Sequence, residues 1–139
     1  TSWDGEVVDL GNTNISFSPN VIAGNMFNYS PVKQLQITLL SKYVGEHYMS
    51  NVDTNGSKLD AYFVYYLNIN YEIKPNSIFK SIVLSALVNN IFNEKYVSNG
   101  YYYTYDDTWS VPNENKTLDG AWYYPQATTN FLIGATFKF

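Results

Sequence analysis

The sequence contains no cysteine and no arginine. Without thiols there is no disulfide framework and no thiolate metal site. Without arginine, and at a net charge of −4, there is no basic stripe of the kind that nucleic-acid binding requires. Charged residues make up 14% of the chain, against roughly 25% in an ordinary soluble domain. No run of about 18 consecutive apolar residues occurs, which excludes a transmembrane helix. A membrane β-strand stays open, because its hydrophobicity is spread over alternate positions. The single histidine, His47, is joined by no Ser-His-Asp set or pair of spaced carboxylates, so no enzyme is expected. His47 itself reads as a plain polar residue near a strand end rather than a ligand. Asp106, Asp107, Glu114 and Asp119 are oxygen donors of the calcium type. They lack the spaced Asp-x-Asp-x-Asp-Gly loop and read as solvated loop acids, so no metal or cofactor is expected. The chain starts at Thr1 with no charged-then-apolar leader behind it, as expected of a processed chain or a piece of a longer one.

What is present in quantity is aromatic: 18% of residues, 14 of them Tyr. The last nine residues, 131–139, place Phe131, Ile133, Ala135, Phe137 and Phe139 at odd positions, with Leu132, Gly134, Thr136 and Lys138 between them. That period of two predicts a strand with one apolar face. The same reading predicts strands near 21–30, 35–48, 61–73 and 81–91, with the last over 128–139. In the second, Leu35, Ile37, Leu39 and Tyr43 face away from Gln36, Thr38, Lys42 and Glu46. In the third, Phe63, Tyr65, Leu67, Ile69, Tyr71 and Ile73 oppose Asn68, Asn70 and Glu72. In the fourth, Ile82, Leu84, Ala86 and Val88 share a side. Pro31-Val32-Lys33-Gln34 and Lys74-Pro75-Asn76-Ser77 read as tight turns. All five prolines are expected outside strands, where no ladder N–H is needed. Gly56, Gly100 and Gly120 follow Asn or Asp and read as turn glycines. The polar segments 50–58 and 93–127 read as loops. The fold class predicted is all-β, an antiparallel meander of about five strands.

Short and long connections alternate, as in transmembrane barrels with short periplasmic turns and longer outer loops. With the C-terminus periplasmic, both tight turns fall on that side and both loops outside. Tyr29, Tyr43, Phe63, Phe137 and Phe139 then suit interfacial girdles. A soluble sandwich has the same alternation, so the strand pattern alone does not distinguish lipid from a protein core.

The segment Val88-Asn89-Asn90-Ile91-Phe92-Asn93-Glu94-Lys95-Tyr96, then Ser98-Asn99-Gly100-Tyr101, then Tyr124-Pro125-Gln126-Ala127 and Asn130-Phe131-Leu132-Ile133-Gly134, resembles the C-terminal end of TonB-dependent receptors of Bacteroides-type bacteria. Ser41-Lys42-Tyr43-Val44-Gly45 resembles a strand segment of the same family. The resemblance covers roughly residues 21–139. It implies a Gram-negative outer-membrane location and energy-dependent uptake of a scarce nutrient such as an iron chelate, haem, cobalamin or a glycan. It also implies a place among the last transmembrane strands of a barrel of about 22, since single-chain barrels close only from about 8 strands. The partners implied are lipid, the remaining strands and plug of the receptor, TonB acting through an N-terminal part absent from this sequence, the outer-membrane assembly machinery and a surface lipoprotein. Lys42, Glu46, Asn68, Asn70 and Glu72, with Gln36 and Thr38, would line the lumen. Phe137 and Phe139 would belong to the assembly signal. Outer-loop aromatics Tyr101, Tyr102, Tyr103, Tyr105, Trp109, Trp122, Tyr123 and Tyr124 are the candidate ligand contacts, with packing of the loop on itself as the alternative. A second class, a soluble all-β carbohydrate-binding module using those aromatics as a sugar platform, accounts for the Tyr and Trp content but not for the terminal Phe or the turn–loop asymmetry.

Overall fold

The computed structural model describes residues 9–75, 78–110 and 115–139. The expected loop over residues 1–8, Asn76 and Ser77 of the second turn, Pro112, and Glu114 of the acidic group lie outside these. The described residues form an all-β chain in two units.

One unit, Val21–Gly45, Ala61–Tyr96 and Gln126–Phe139, is a five-stranded antiparallel sheet. Its strands are β1 (Ile22–Val32), β2 (Leu35–Val44), β5 (Tyr62–Ile73), β6 (Ser81–Asn89) and β9 (Asn130–Lys138), in the order β1-β2-β5-β6-β9. These are the five strands that period-two alternation predicts, with ends moved by a few residues. Register carries the alternation across the sheet, because directly paired residues share a face. Ile37 pairs with Ile69, Ile69 with Ala86, and Ala86 with Ile133; Leu39 pairs with Leu67, Leu67 with Val88, and Val88 with Phe131. A slip of one residue anywhere would send a whole row to the other side.

Three expectations change here. Pro31 lies inside β1, not in the turn, and the turn shrinks to Lys33–Gln34. The register shifts between Tyr29 and Val32. An edge strand with a local bulge is where a residue without an N–H is tolerated. Because β1 runs on past it, Tyr29 pairs with Ile37 among the aliphatic rows instead of standing at a strand end. Pro125 likewise closes a strand, Lys116–Pro125, opposite Val97.

The other unit comprises Thr1–Asn20, Glu46–Asp60 and Val97–Pro125. It holds the two-residue bridge of β3 (His47–Tyr48) with β4 (Lys58–Leu59), a single 3-10 turn (Asn55–Ser57), and the hairpin of β7 (Val97–Asp107) with β8 (Lys116–Pro125). The expected strand 35–48 therefore breaks at Val44, and its tail starts new pairing. The expected loop 93–127 is largely a hairpin. Ser57 is fully buried; its hydroxyl donates to the carbonyls of Val52 (2.8 Å) and Thr54 (3.0 Å), closing the 50–58 loop. The backbone N–H of Asn14 and its side-chain amide both donate to the Asp53 carboxylate, and the Ser16 N–H donates to Asn51 Oδ1 at 3.0 Å.

Candidate functional site

The sheet has two chemically distinct faces. On the apolar face the central rows are aliphatic, and rings gather toward both ends. At one end Phe63 meets Tyr43 (6.2 Å) and Tyr65 (4.7 Å), and Tyr65 meets Phe92 (4.9 Å), the last two contacts edge-on. At the other, Phe79 meets Phe137 (5.5 Å) and Phe139 (5.1 Å). Phe139 lies one residue past the end of β9. Phe79, which the sequence pattern did not single out, is what the two terminal rings share. This face is open: Phe131 is 74% and Ile133 75% exposed, and Leu39 and Leu84 on inner strands are exposed as well.

On the opposite face, pairing brings Gln36 beside Asn70, Thr38 beside Asn68, and Glu72 beside Val83. Lys42 lies there too, opposite Val64. Short hydrogen bonds tie the polar side chains together. Thr38 donates to Asn28 Oδ1 (2.6 Å), Asn70 to Asn68 Oδ1 (3.1 Å), Ser85 to Asn70 Oδ1 (2.9 Å), and Asn89 to Asn130 Oδ1 (2.8 Å). Leu40, Val64, Val83, Leu87 and Leu132 interrupt this polar surface. Glu46, expected on it, is elsewhere. It follows the end of β2 and pairs with Lys58 at 2.6 Å, raising the Lys58 pKa first through the hydrogen bond and then through charge. Strand alternation extrapolated past Val44 misplaced it.

Where the sheet ends and the chain leaves for the hairpin, Asn90 is the hub. It is 3% exposed and left-handed, at φ 51°, a conformation Asn tolerates. Its side chain binds both backbone groups of Glu94, accepting from the N–H (2.9 Å) and donating to the carbonyl (2.8 Å), and donates again to the Ala127 carbonyl (3.2 Å). The Asn90 carbonyl accepts from Thr129 Oγ1 at 2.7 Å. Asn93, also left-handed at φ 57°, accepts from the Thr129 N–H. Within the segment quoted above for its family resemblance, the two asparagines hold the outgoing and returning chain together. Two asparagines flanking Ile91-Phe92 were the signal available for this. Nearby, Tyr96 stacks on Tyr62 at 4.3 Å. Burial, followed by the adjacent Tyr66, pushes the Tyr96 pKa up to about 12.

The candidate ligand aromatics divide by strand parity. Tyr101 pairs with Trp122, Tyr103 with Gly120, Tyr105 with Leu118 and Asn99 with Tyr124, which puts those residues on one hairpin face. Tyr102 and Tyr123 take the other. Tyr102 donates to Asp119 Oδ2 (3.3 Å) and Tyr123 to the Gly56 carbonyl (3.2 Å). Both hydroxyls are engaged in packing the unit. Trp109 lies beyond β7, exposed; its backbone N–H and that of Ser110 donate to Asp107 Oδ1. The Asp107 pKa is lowered, first by the hydrogen bond from the Ser110 side chain and then by the Ser110 backbone N–H. Gly100 and Gly120 are strand residues, not turn residues. A Cβ on Gly100 would collide with the Trp122 carbonyl and reach Met49 Sδ at 2.6 Å; one on Gly120 would strike the Tyr103 ring at 2.5 Å. Close approach, not turn geometry, is what these glycines serve.

His47 is buried in the β3–β4 bridge, paired with Leu59. Asp106 accepts from Thr117 Oγ1 at 2.6 Å, and among the described residues no group of three or more His, Asp or Glu side chains is placed to hold a metal ion. No protein-family model, curated protein or solved structure matches the chain.

Proposed function

We propose that this chain is barrel wall: the C-terminal strands of an outer-membrane receptor of the TonB-dependent kind, which takes up a scarce nutrient at the expense of inner-membrane energy. The observation that supports it most is the division of one sheet into an open apolar face and a hydrogen-bonded polar face. Lipid is the solvent that such an apolar face suits, and a hydrated lumen suits Lys42, Asn68, Asn70 and Glu72.

Dimensions agree. Along β5 the ring of Phe63 and that of Tyr71 are eight positions apart, or about 27 Å at a rise of ~3.4 Å per residue. A tilt of about 40° reduces this to roughly 21 Å, near the ~25 Å apolar band that aromatic girdles bracket in outer-membrane barrels. The connections are also unequal in length: the β1–β2 turn is Lys33–Gln34, whereas residues 45–61 separate β2 from β5 and residues 90–129 separate β6 from β9. Among the described residues β1 and β9 are the edge strands of the sheet, and an edge strand is a template for pairing with further strands. In this reading those strands, the plug and the TonB-contacting part belong to the rest of the receptor, and Phe137 and Phe139 serve recognition by the assembly machinery.

The absence of cysteine makes the test direct. Ile133→Cys and Ser85→Cys carry a fluorophore on the two faces of the chain reconstituted in lipid vesicles. The reading expects the Ile133 label to be quenched by lipid-borne quencher and the Ser85 label by aqueous iodide. Equal iodide quenching at both positions would remove it.

A further inference from the structure

We propose that the end of the sheet carrying Lys33, Lys74, Lys80 and Lys138 binds the phosphate headgroups of anionic phospholipids, with Phe79, Phe137 and Phe139 set among the adjoining acyl chains. This deepens the membrane reading and rests on it, naming the class of lipid and the end of the strands that meets it.

Charge is divided unequally along the chain. The unit made of the sheet holds six of the eight lysines, Lys33, Lys42, Lys74, Lys80, Lys95 and Lys138, but two of the twelve acids, Glu72 and Glu94. A chain of net charge −4 therefore contains a sheet unit of net charge +4. Four of those six lysines lie at one end. Lys33 is in the β1–β2 turn, Lys74 follows β5, Lys80 precedes β6 and Lys138 closes β9. Backbone bonds bring these points together: the Glu72 N–H donates to the Gln34 carbonyl and the Lys80 N–H to the Lys138 carbonyl, each at 2.8 Å. Because β2, β5, β6 and β9 are successive strands, the row spans roughly 15 Å at ~4.8 Å per strand. All four lysines are exposed. Among the described carboxylate side chains only Glu72 is at this end, and its contact with Lys74 is 3.5 Å between two solvent-accessible groups, a weak pair. At the other end of the strands, Lys95 adjoins Glu94.

The rings select the occupant. Ser81 is the register partner of Lys138, so Lys80 and Ser81 both oppose that one residue. An extra residue of this kind resets the alternation. Phe79 comes to lie against Phe137 and Phe139, while Lys80 stands beside Lys138. These rings bear no hydroxyl, and Phe137 and Phe139 are 52% and 74% exposed. Hydrocarbon surface followed within one residue by cations matches the order of groups in an anionic phospholipid, acyl chain and then phosphate. A lysine stem lies along apolar surface and carries its ammonium out to the interface, where anionic headgroups attract it. A zwitterionic headgroup leaves the excess positive charge uncompensated. A soluble acidic peptide answers the charge but leaves the rings in water.

The test uses the chain reconstituted in vesicles, with a fluorophore on Ile78→Cys, a residue 79% exposed and next to Phe79. Phosphatidylcholine vesicles carry a trace of either phosphatidylglycerol or phosphatidylcholine, spin-labelled high on the acyl chain. The phosphatidylglycerol should quench about fivefold more effectively per molecule at low salt, the scale of one lysine at an anionic surface. Its advantage should shrink in ~1 M salt, where the Debye length is ~3 Å. Lys80→Gln with Lys138→Gln should bring the two lipids near parity, Lys33→Gln with Lys74→Gln should do so in part, and Lys95→Gln should change nothing. All five lysines are exposed, so these variants leave the strands intact. Equal quenching by both lipids in the parent overturns the proposal and leaves the membrane reading standing, whereas no quenching by either removes both. The proposal also falls if the preference survives the paired Lys80 and Lys138 substitutions or if Lys95→Gln erases it. Abolition by soluble poly-glutamate at the charge concentration of the lipid would overturn it too, making this end a protein-docking surface.

Discussion

The sheet and the hairpin are both antiparallel β-structure rich in rings, yet they use their rings in opposite ways. In the sheet, Phe and Tyr cluster toward the strand ends, mostly tilted or edge-on, around rows of Ile, Leu and Val. In the hairpin, three tyrosines run in file on one side of β7, while Tyr102 and Tyr123 turn to the other side and spend their hydroxyls on Asp119 and Gly56. The difference teaches that aromatic content alone says little about function. What separates the two surfaces is whether aliphatic side chains fill the space between rings, and whether the rings meet edge-on or run parallel.

The strongest way to break this contrast is to place a charge on each surface. In vesicles, Ile69→Lys, in the middle of the aliphatic rows, is expected to cost about 2–4 kcal/mol, the range for a basic residue near mid-bilayer. Trp122→Lys on the hairpin should stay within about 0.5 kcal/mol, as for a solvated surface change. Urea unfolding monitored by circular dichroism measures both, and equal costs would erase the distinction. A smaller effect is expected from Asn90→Ala. It strips three part-buried hydrogen bonds from the backbone of the exposed residues Glu94 and Ala127, where water takes over as partner, at about 0.5–1.5 kcal/mol. Amide hydrogen exchange should accelerate at Glu94 while the β7–β8 ladder keeps its protection; unchanged exchange at Glu94 would mean that the clamp is redundant.

The smallest effect is alkaline. Tyr96 titrates near 12 in the folded chain and near 10 when unfolded. Below pH ~10 the phenol is protonated in both states and its contribution is complete. Between ~10 and ~12 the unfolded chain ionises first, so stability falls, and above ~12 the contribution is gone. Tyr96→Phe should flatten that part of the stability profile. A mutant with the same alkaline slope as the parent would assign the loss to other groups.

Much of the sheet was legible because its information is local. A strand with one apolar face announces itself at i and i+2, and neighbouring strands that do the same can pair only in registers that keep the rows together. The side of Lys42, Asn68, Asn70 and Glu72 followed from that. The side of Glu46 did not, because alternation carries meaning only while the strand continues, and β2 stops at Val44. The hairpin was hidden for a different reason. Residues 97–107 place Tyr on both faces, Tyr101-Tyr102-Tyr103, so there is no period to read, although the β-propensity of Tyr, Thr and Trp was a weaker signal in plain view.

By itself, then, the sequence determined an all-β meander with two unlike faces, since each strand encodes its own faces in alternate side chains. Only the tertiary structure decided that 97–107 pairs with 116–125, that five of the loop aromatics share a face while Tyr102 and Tyr123 turn from it, that Gly120 makes room for Tyr103, and that Asn90 gathers Glu94 and Ala127. Each of those depends on a partner far along the chain, whose position is set by register and backbone path, and no local pattern of residue types specifies either.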